Sequence, residues 1–283
     1  MNVNFLGLSD ITLIVVHAGA VSHQDEQVAT ALAVAYGAAN RIERRDPLDA
    51  ELTDPTTLVL DVGGQDNWAM RNVDHHQLAR EATDCAFSLL AKHLDCWVEM
   101  ATVFPWAELA VELDQHGPFA LAKRIGCSAD SFFAMLGPAR SYHDLRWAQD
   151  AQYRAEYTAW LADHLRVQLS LYSEMDAFAY ADPYMPTIAG LKVLRGDAVE
   201  AAHPEHSREL TDMLAKEYNV DVVVFNDDRG DGFGLLRMGD NQAINFAKCE
   251  GMAAVKFAHK GGFILKTVDK TADIEALIRA AIA

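Results

Sequence analysis

The sequence predicts an α/β fold: a mainly parallel sheet with flanking helices, then a long helix, then a smaller C-terminal α/β domain. Three observations carry that expectation. Short, β-branched apolar runs at 12–17 (TLIVVH) and 57–61 (TLVLD) have the length and composition of strands buried on both faces. Helical patterns separate and follow them at spacings that suit parallel crossovers. The chain has 283 residues, 51% of them hydrophobic, enough for two modest domains with cores of their own.

Taken in order, the first strand, 12–17, gives way to a small-residue loop, Ala18 to Ser22, and then to a helix over 25–37 with alanines and valines on one face. A second strand is expected within 40–46, ended by Pro47, and a third at 57–61, closed by Gly63-Gly64. A helix follows over TDCAFSLLAKHL, with Thr83 or Asp84 as its cap. From Pro105 to about Glu174 the pattern is helical, punctuated by Gly117-Pro118 and Gly137-Pro138, and Leu145 to Glu174 reads as one long connecting helix. The break Ala181-Asp182-Pro183-Tyr184-Met185-Pro186 marks a domain boundary. The expected division is therefore 1–145, a connecting helix over 146–182, and 183–283. In the last part we expect strands at 187–195, 221–226, 233–238 and 263–268, a helix over 205–217, and a final amphipathic helix from Ala272.

Composition narrows the function. The apolar run from Ile11 to Val16 is too short to span a bilayer and has no basic region before it, so neither a signal peptide nor a membrane helix is expected. Cys85, Cys96, Cys127 and Cys249 form no CxxC pair and read as packing residues in a reducing cytoplasm. A net charge of −17 argues against a protein that grips long duplex nucleic acid, because such grip draws on phosphate neutralisation by a basic surface. Two divalent ions would offset only a small part of that charge, so the acidity favours small or short substrates. Dimerisation through the long helix is an expectation from architecture alone.

The residues that carry chemistry fall at strand ends. His17 closes the first strand, with His23 and Asp25 just beyond it; Asp61 closes TLVLD, and Asp74-His75-His76 follows Asn72-Val73. Asp114 lies farther on, in WAELAVELDQHG. In parallel α/β sheets the carboxyl edge is where ligands bind. Taken singly, a histidine at a strand end or an aspartate before Gly-Gly is ordinary turn chemistry. Together, three histidines and three aspartates make a mixed donor set suited to Mn, Fe, Co or Zn, where an all-oxygen set would suggest Mg. Two such ions, about 3.5–4 Å apart, activate water and neutralise charge developing on a phosphoryl group.

HAGAVSHQDE, then VLDVGG, then NVDHHQ resembles the DHH phosphoesterase superfamily, and more closely its Myg-type branch (the melanocyte-proliferating-gene family). Arg45-Asp46-Pro47-Leu48 is similar to that branch's R-D-P segment, and Val111-Glu112-Leu113-Asp114 to the family's fourth motif. The resemblance implies a two-metal hydrolase, Mn being favoured over Mg, Co, Fe or Zn. Asp61 would bridge both ions, His17 and His23 would hold one, and Asp25, His75 and Asp114 the other. Asp74 would orient the His75 ring, and His76 would protonate the leaving oxygen or contact the phosphate. Glu26 has no role in this scheme beyond a favourable first-turn carboxylate. The His17–His23 interval is one residue longer than the family pattern and Ala18 replaces its asparagine, so the loop must bulge and the assignment of the two histidines stays open.

In the last domain, Phe257-Ala258-His259-Lys260-Gly261-Gly262-Phe263 resembles the F-V-H-x-S-G-F segment of the same branch and, more distantly, the glycine- and histidine-bearing phosphate-binding motif of the superfamily's second domain. Two glycines let backbone N–H groups approach an anion, and His259 and Lys260 can complement its charge. Arg237 is a further substrate-binding candidate on a neighbouring strand. The plain alternative is a Lys-Gly-Gly turn before FILKTV. The run Asn226 to Gly232 lacks the final Glu of a calcium loop and reads as a polar hairpin turn. The expected substrate is a short single-stranded RNA or other oligonucleotide. Cyclic dinucleotides, pyrophosphate, and a non-catalytic metal or nucleotide sensor on the same scaffold are the alternatives.

Overall fold

The structure is a computed structural model that describes residues 7–78, 83–104, 106–178, 184–227, 230–239 and 241–282. Pro105 and the boundary residues Ala181, Asp182 and Pro183 lie outside the described residues, as do Asp228 and Arg229. The chain divides into two compact units, Met1–Ser173 and Glu174–Ala283.

The first unit is built on β1 (Leu13–Val16), β2 (Ile42–Arg44), β3 (Thr57–Leu60), β4 (Asp66–Asn67) and β5 (Asn72–Val73), in spatial order β2-β1-β3-β5-β4. Pairings β1–β2, β1–β3 and β3–β5 are parallel, and only the edge strand β4 runs antiparallel. All four residues of β1 and of β3 are buried, which is why the runs LIVV and TLVL carry no polar alternation. Their side chains still alternate between faces. Ile14, Val16, Leu58 and Leu60 join the main core with the helices. Leu13, Val15 and Val59 face the other way, under Leu52 and Val62. Helices therefore line one face, and a loop covers the other. Arg45 pins that loop, with Nη1 and Nη2 donating to the two oxygens of Glu51 at 2.7 and 2.6 Å.

The helices are α1 (Gln24–Ala35), α2 (Ala86–His93), α3 (Trp97–Val103), α4 (Trp106–Arg124), α5 (Ala129–Gln149) and α6 (Ala151–Phe178). The cap of α2 is Cys85, not Thr83 or Asp84: Ser88 Oγ accepts from the Cys85 N–H and donates to Asp84. Gly117 breaks α4 with φ 76°, as its Gly-Pro pair predicts, whereas α5 continues across Gly137-Pro138. The expected single helix from Leu145 is two helices. Asp150 leaves helical geometry (φ −105°, ψ 104°) and its carboxylate accepts from Tyr153 N–H at 3.0 Å, starting α6. Leu161, Ala162, Leu165 and Leu169 of α6 pack in the first unit's core.

The second unit holds β6 (Thr187–Ile188), β7 (Leu191–Arg195), α7 (Gly196–Ala202), α8 (Ser207–Glu217), β8 (Val222–Asn226), β9 (Phe233–Arg237), β10 (Val255–Ala258), β11 (Ile264–Thr267) and α9 (Ile274–Ile282). Its sheet order is β10-β11-β9-β8-β7-β6, antiparallel except for β7–β8. The single strand expected at 187–195 is a hairpin turning at Ala189-Gly190, both with positive φ. Strand β10 was not expected, because VKFA shows no alternation. Among the described residues no helix is long and apolar enough to cross a membrane.

Candidate metal centre

Because β1, β3 and β5 are parallel, their carboxyl ends share one edge of the sheet. His17 follows β1, Asp61 follows β3 and Asp74 follows β5. Asp61 sits there with φ 58°, a left-handed backbone that a non-glycine residue adopts at a cost. The N–H of Asp61 donates to Val73 O at 3.0 Å, holding the strand end in place.

Two groups of donors converge on this edge, each with ligand atoms within 4.8 Å of one another: Asp61 with His75 and His76, and His23 with Asp25 and Asp114. His75 Nε2 bridges them, 3.2 Å from Asp61 Oδ1 and 3.5 Å from Asp114 Oδ2. Asp25 is reached from α1 and Asp114 from the first half of α4. Five of the six expected ligands are thus gathered, together with His76.

His17 is the exception. Its Nδ1 accepts the Gly19 N–H at 3.2 Å, and its ring centroid stands 6.0 Å from that of His23. A Cβ at Gly19 would lie 2.9 Å from His17 Cε1, so the longer loop folds directly against the ring. His23 accordingly groups with Asp25 and Asp114, not with His17 as the resemblance implies. Asp74 also departs from expectation. Its carboxylate accepts from the Gly64 N–H at 2.6 Å and the His76 N–H at 3.0 Å, and contacts His76 Nδ1 at 2.6 Å. It orients His76, leaving His75 to Asp61 and Asp114.

The electrostatics are those of crowded, buried carboxylates. Both oxygens of Asp25, Oδ1 of Asp61 and Oδ2 of Asp114 are buried without a hydrogen-bond partner. Burial, with the charges of Asp61 and Asp114, pushes the Asp25 carboxyl well above its ordinary value. Burial and Asp61 likewise raise Asp114 against the pull of His75. Burial opposes charge on His75, but the surrounding carboxylates of Asp61, Asp114 and Asp25 outweigh it and push the ring up to about 9. For Asp74 burial is outweighed by the His76 and Gly64 donors, and its carboxyl is held low. Orphaned carboxylate oxygens beside imidazole nitrogens fit a divalent transition ion.

Several contacts were invisible to sequence reasoning. Glu26 is fully buried and paired with Arg44 at 3.1 Å, and burial, only partly offset by Arg44, raises its carboxyl to about 8. Arg44 ends β2 on the same sheet edge, one residue before the R-D-P segment. A cleft of about 370 Å³ opens beside His23, Asp25 and Asp114, and Arg140 and Asp144 of α5 line it. Arg140 Nε donates to Asp144 Oδ2 at 3.1 Å, an i,i+4 pair that reads in sequence as ordinary helix-surface charge.

In the second unit, the 259–262 turn joins β10 to β11. Gly261 N–H donates to His259 Nδ1 at 2.9 Å and Gly262 N–H to His259 O at 2.7 Å, so both glycine amides serve the turn and leave the side chains of His259 and Lys260 for an anion. Arg237 is adjacent in the sheet, its N–H donating to Phe263 O at 2.8 Å and its Nη1 to Ile244 O at 2.8 Å. The polar run follows β8 and leads into the antiparallel β9, part of it lying outside the described residues, and Lys266 pairs with Asp227.

No family model matches the chain, and no curated protein matches it. Among solved structures it is similar to the pGpG-specific phosphodiesterase PggH from Vibrio cholerae, over 96% of this chain and 97% of that one, with 12% identity and a TM-score of 0.34. It is also similar to RecJ from Thermus thermophilus, solved in complex with Mn2+, over 97% of this chain and 52% of that one, with 14% identity and a TM-score of 0.29. The chemistry of the site rests on its own residues.

Proposed function

We propose that this chain is a metal-dependent phosphoester hydrolase of the DHH superfamily, nearest its Myg-type branch, that cleaves short single-stranded oligonucleotides, RNA being favoured. One observation carries the reading. Donors far apart in sequence, His23, Asp25, Asp61, His75, His76 and Asp114, converge beside one sheet edge, where both oxygens of Asp25 are buried without a hydrogen-bond partner and Asp61 Oδ1 and Asp114 Oδ2 face the His75 ring. Hydrogen bonding alone gives no reason to bury such oxygens. His23, Asp25 and Asp114 would hold one divalent ion, Mn being favoured, and His75 and Asp61 a second. When bound, the ions supply Lewis acidity toward the phosphoryl group.

The chain's own residues divide the remaining work. His76 is 60% exposed and tethered through Nδ1 to Asp74, which leaves Nε2 to deliver a proton to the leaving oxygen as the phosphorus–oxygen bond breaks. Arg140 in the cleft binds a phosphate flanking the reacting one. On the second unit, His259 and Lys260, beside Arg237, would contact an anion.

The test is elemental analysis of protein purified without chelator, followed by assay of the Mn-supplemented wild type and Asp61→Asn on labelled short RNA, DNA, cyclic dinucleotides and pyrophosphate. We expect about two equivalents of metal and hydrolysis abolished in the variant while it stays folded. A folded wild type with neither metal nor turnover would sink the reading.

A further inference from the structure

Next to the cleft of Asp25 and Asp114 lies a second cavity of about 320 Å³, walled by Trp106, Tyr157, Trp160 and His164. Gln24 and Arg140 line both cavities, so the two share a wall. The aromatic wall is a stripe on α6. Ring centroids are 5.6 Å apart for Tyr157 and Trp160, and 5.8 Å apart for Trp160 and His164, which stack at 10°. A stripe of aromatic residues at helical spacing ordinarily faces the core. On α6 the stripe borders the core face: Leu161 is buried and Tyr157 packs partly against the core, whereas Trp160 is 61% exposed. The indole of Trp160 is left in water at the rim of a cavity that Arg140 also lines, so an apolar ring and a cationic group face one concave surface.

Resting on the phosphoesterase reading above, we propose that this cavity holds a nucleobase of the substrate, with Trp160 as its stacking platform and Arg140 spanning to the adjoining phosphate. Every base has a π-face, so stacking on Trp160 and Tyr157 selects nucleotides as a class without selecting sequence. Gln24 supplies an amide donor and acceptor at the shared wall. Gln27 is held rigid beneath, donating to Asp144 Oδ1 at 3.0 Å and contacting His143 Nε2 through its carbonyl oxygen at 3.0 Å. Inorganic pyrophosphate would fill the polar cleft and leave the aromatic cavity without a partner. A nucleotide fills both.

The experiment compares a dinucleotide with its abasic counterpart in wild type, Trp160→Ala and Trp160→Phe. Loss of one stacking platform weakens binding about five- to hundredfold. We expect Trp160→Ala to raise KM for the dinucleotide about tenfold with kcat nearly unchanged, to leave abasic turnover unaltered, and to be rescued by Trp160→Phe. Equal KM values, an equal loss on both substrates, or a changed oligomeric state by light scattering without a KM effect would each overturn the proposal, the last assigning the patch to a second copy of the chain. Should the wild type turn over neither substrate, the phosphoesterase reading fails separately. Quenching of tryptophan fluorescence by a nucleoside monophosphate, present in the wild type and absent in Trp160→Ala, then still decides the pocket.

Discussion

Among the described residues, the carboxylate cluster of the first unit and the 259–262 turn of the second treat their polar groups in opposite ways. At the sheet edge of the first unit, Asp25 buries two carboxylate oxygens that accept no hydrogen bond, and Asp61 and Asp114 share the single ring of His75. At the 259–262 turn of the second unit, the two glycine N–H groups that looked ready for an anion donate within the turn itself. A folded protein normally satisfies its buried polar groups, so groups left without partners point to something that arrives later. The turn is complete in its own right and offers a ligand only the ends of His259 and Lys260. Residue type suggested both sites. Only the state of their hydrogen bonds separates them.

Substitutions can break that contrast or sharpen it. The largest effect is expected at Asp25→Asn: retained metal should fall by about half and hydrolysis by about a thousandfold, by elemental analysis and initial rates. His76→Ala should reduce kcat by roughly a hundredfold with metal content unchanged, since this exposed ring is assigned to proton delivery. An equal loss of metal in that variant would instead make His76 a ligand. In the second unit, Gly262→Ala should lower stability by about 1–3 kcal/mol while metal content stays at the wild-type level. There φ is 67° and a Cβ would collide with Asn245 Oδ1. Lys260→Ala should raise KM only severalfold. A hundredfold effect there would place the second unit's turn on a par with the first unit's edge.

Acidity offers a further probe. Burial raises the Asp25 and Asp114 carboxyls, and Glu26 rises from 4.5 to about 8. Groups that hold protons more tightly when folded stabilise the metal-free protein fully at pH below their unfolded values. That contribution is lost as pH rises toward the folded values, about 8 for Glu26. A cation at Asp25 and Asp114 displaces those protons, so its stabilisation should grow with pH. At a hundredfold excess over Kd, Mn2+ should add about 2.7 kcal/mol. The thermal shift on Mn addition should be larger near pH 8 than near pH 6, and the reverse order would refute the site's charge balance.

The strand ends were legible in the sequence because a short apolar run followed by His17, Asp61 or Asp74 is a local signal. So was Gly117, whose break depends on its own backbone. Contacts closed by distant residues were not. Nothing local says that Arg44 answers Glu26, that Cys85 outranks Asp84 as a cap, or that the longer loop packs Gly19 on His17 and gives His23 to Asp25 and Asp114. The stripe of Tyr157, Trp160 and His164 was hidden for another reason. Periodicity reports which residues share a helix face, but not whether that face meets the core or water.

The left-handed backbone at Asp61 restricts the amino-acid alphabet at that position before chemistry is considered. Glycine, asparagine and aspartate enter that conformation most readily, and a β-branched side chain does not. A library carrying all residues at position 61 and sorted only for folded protein should therefore return those three. The same library sorted for retained metal should return aspartate alone. The gap between the two lists would separate what the chain geometry demands of this residue from what the ions demand of it.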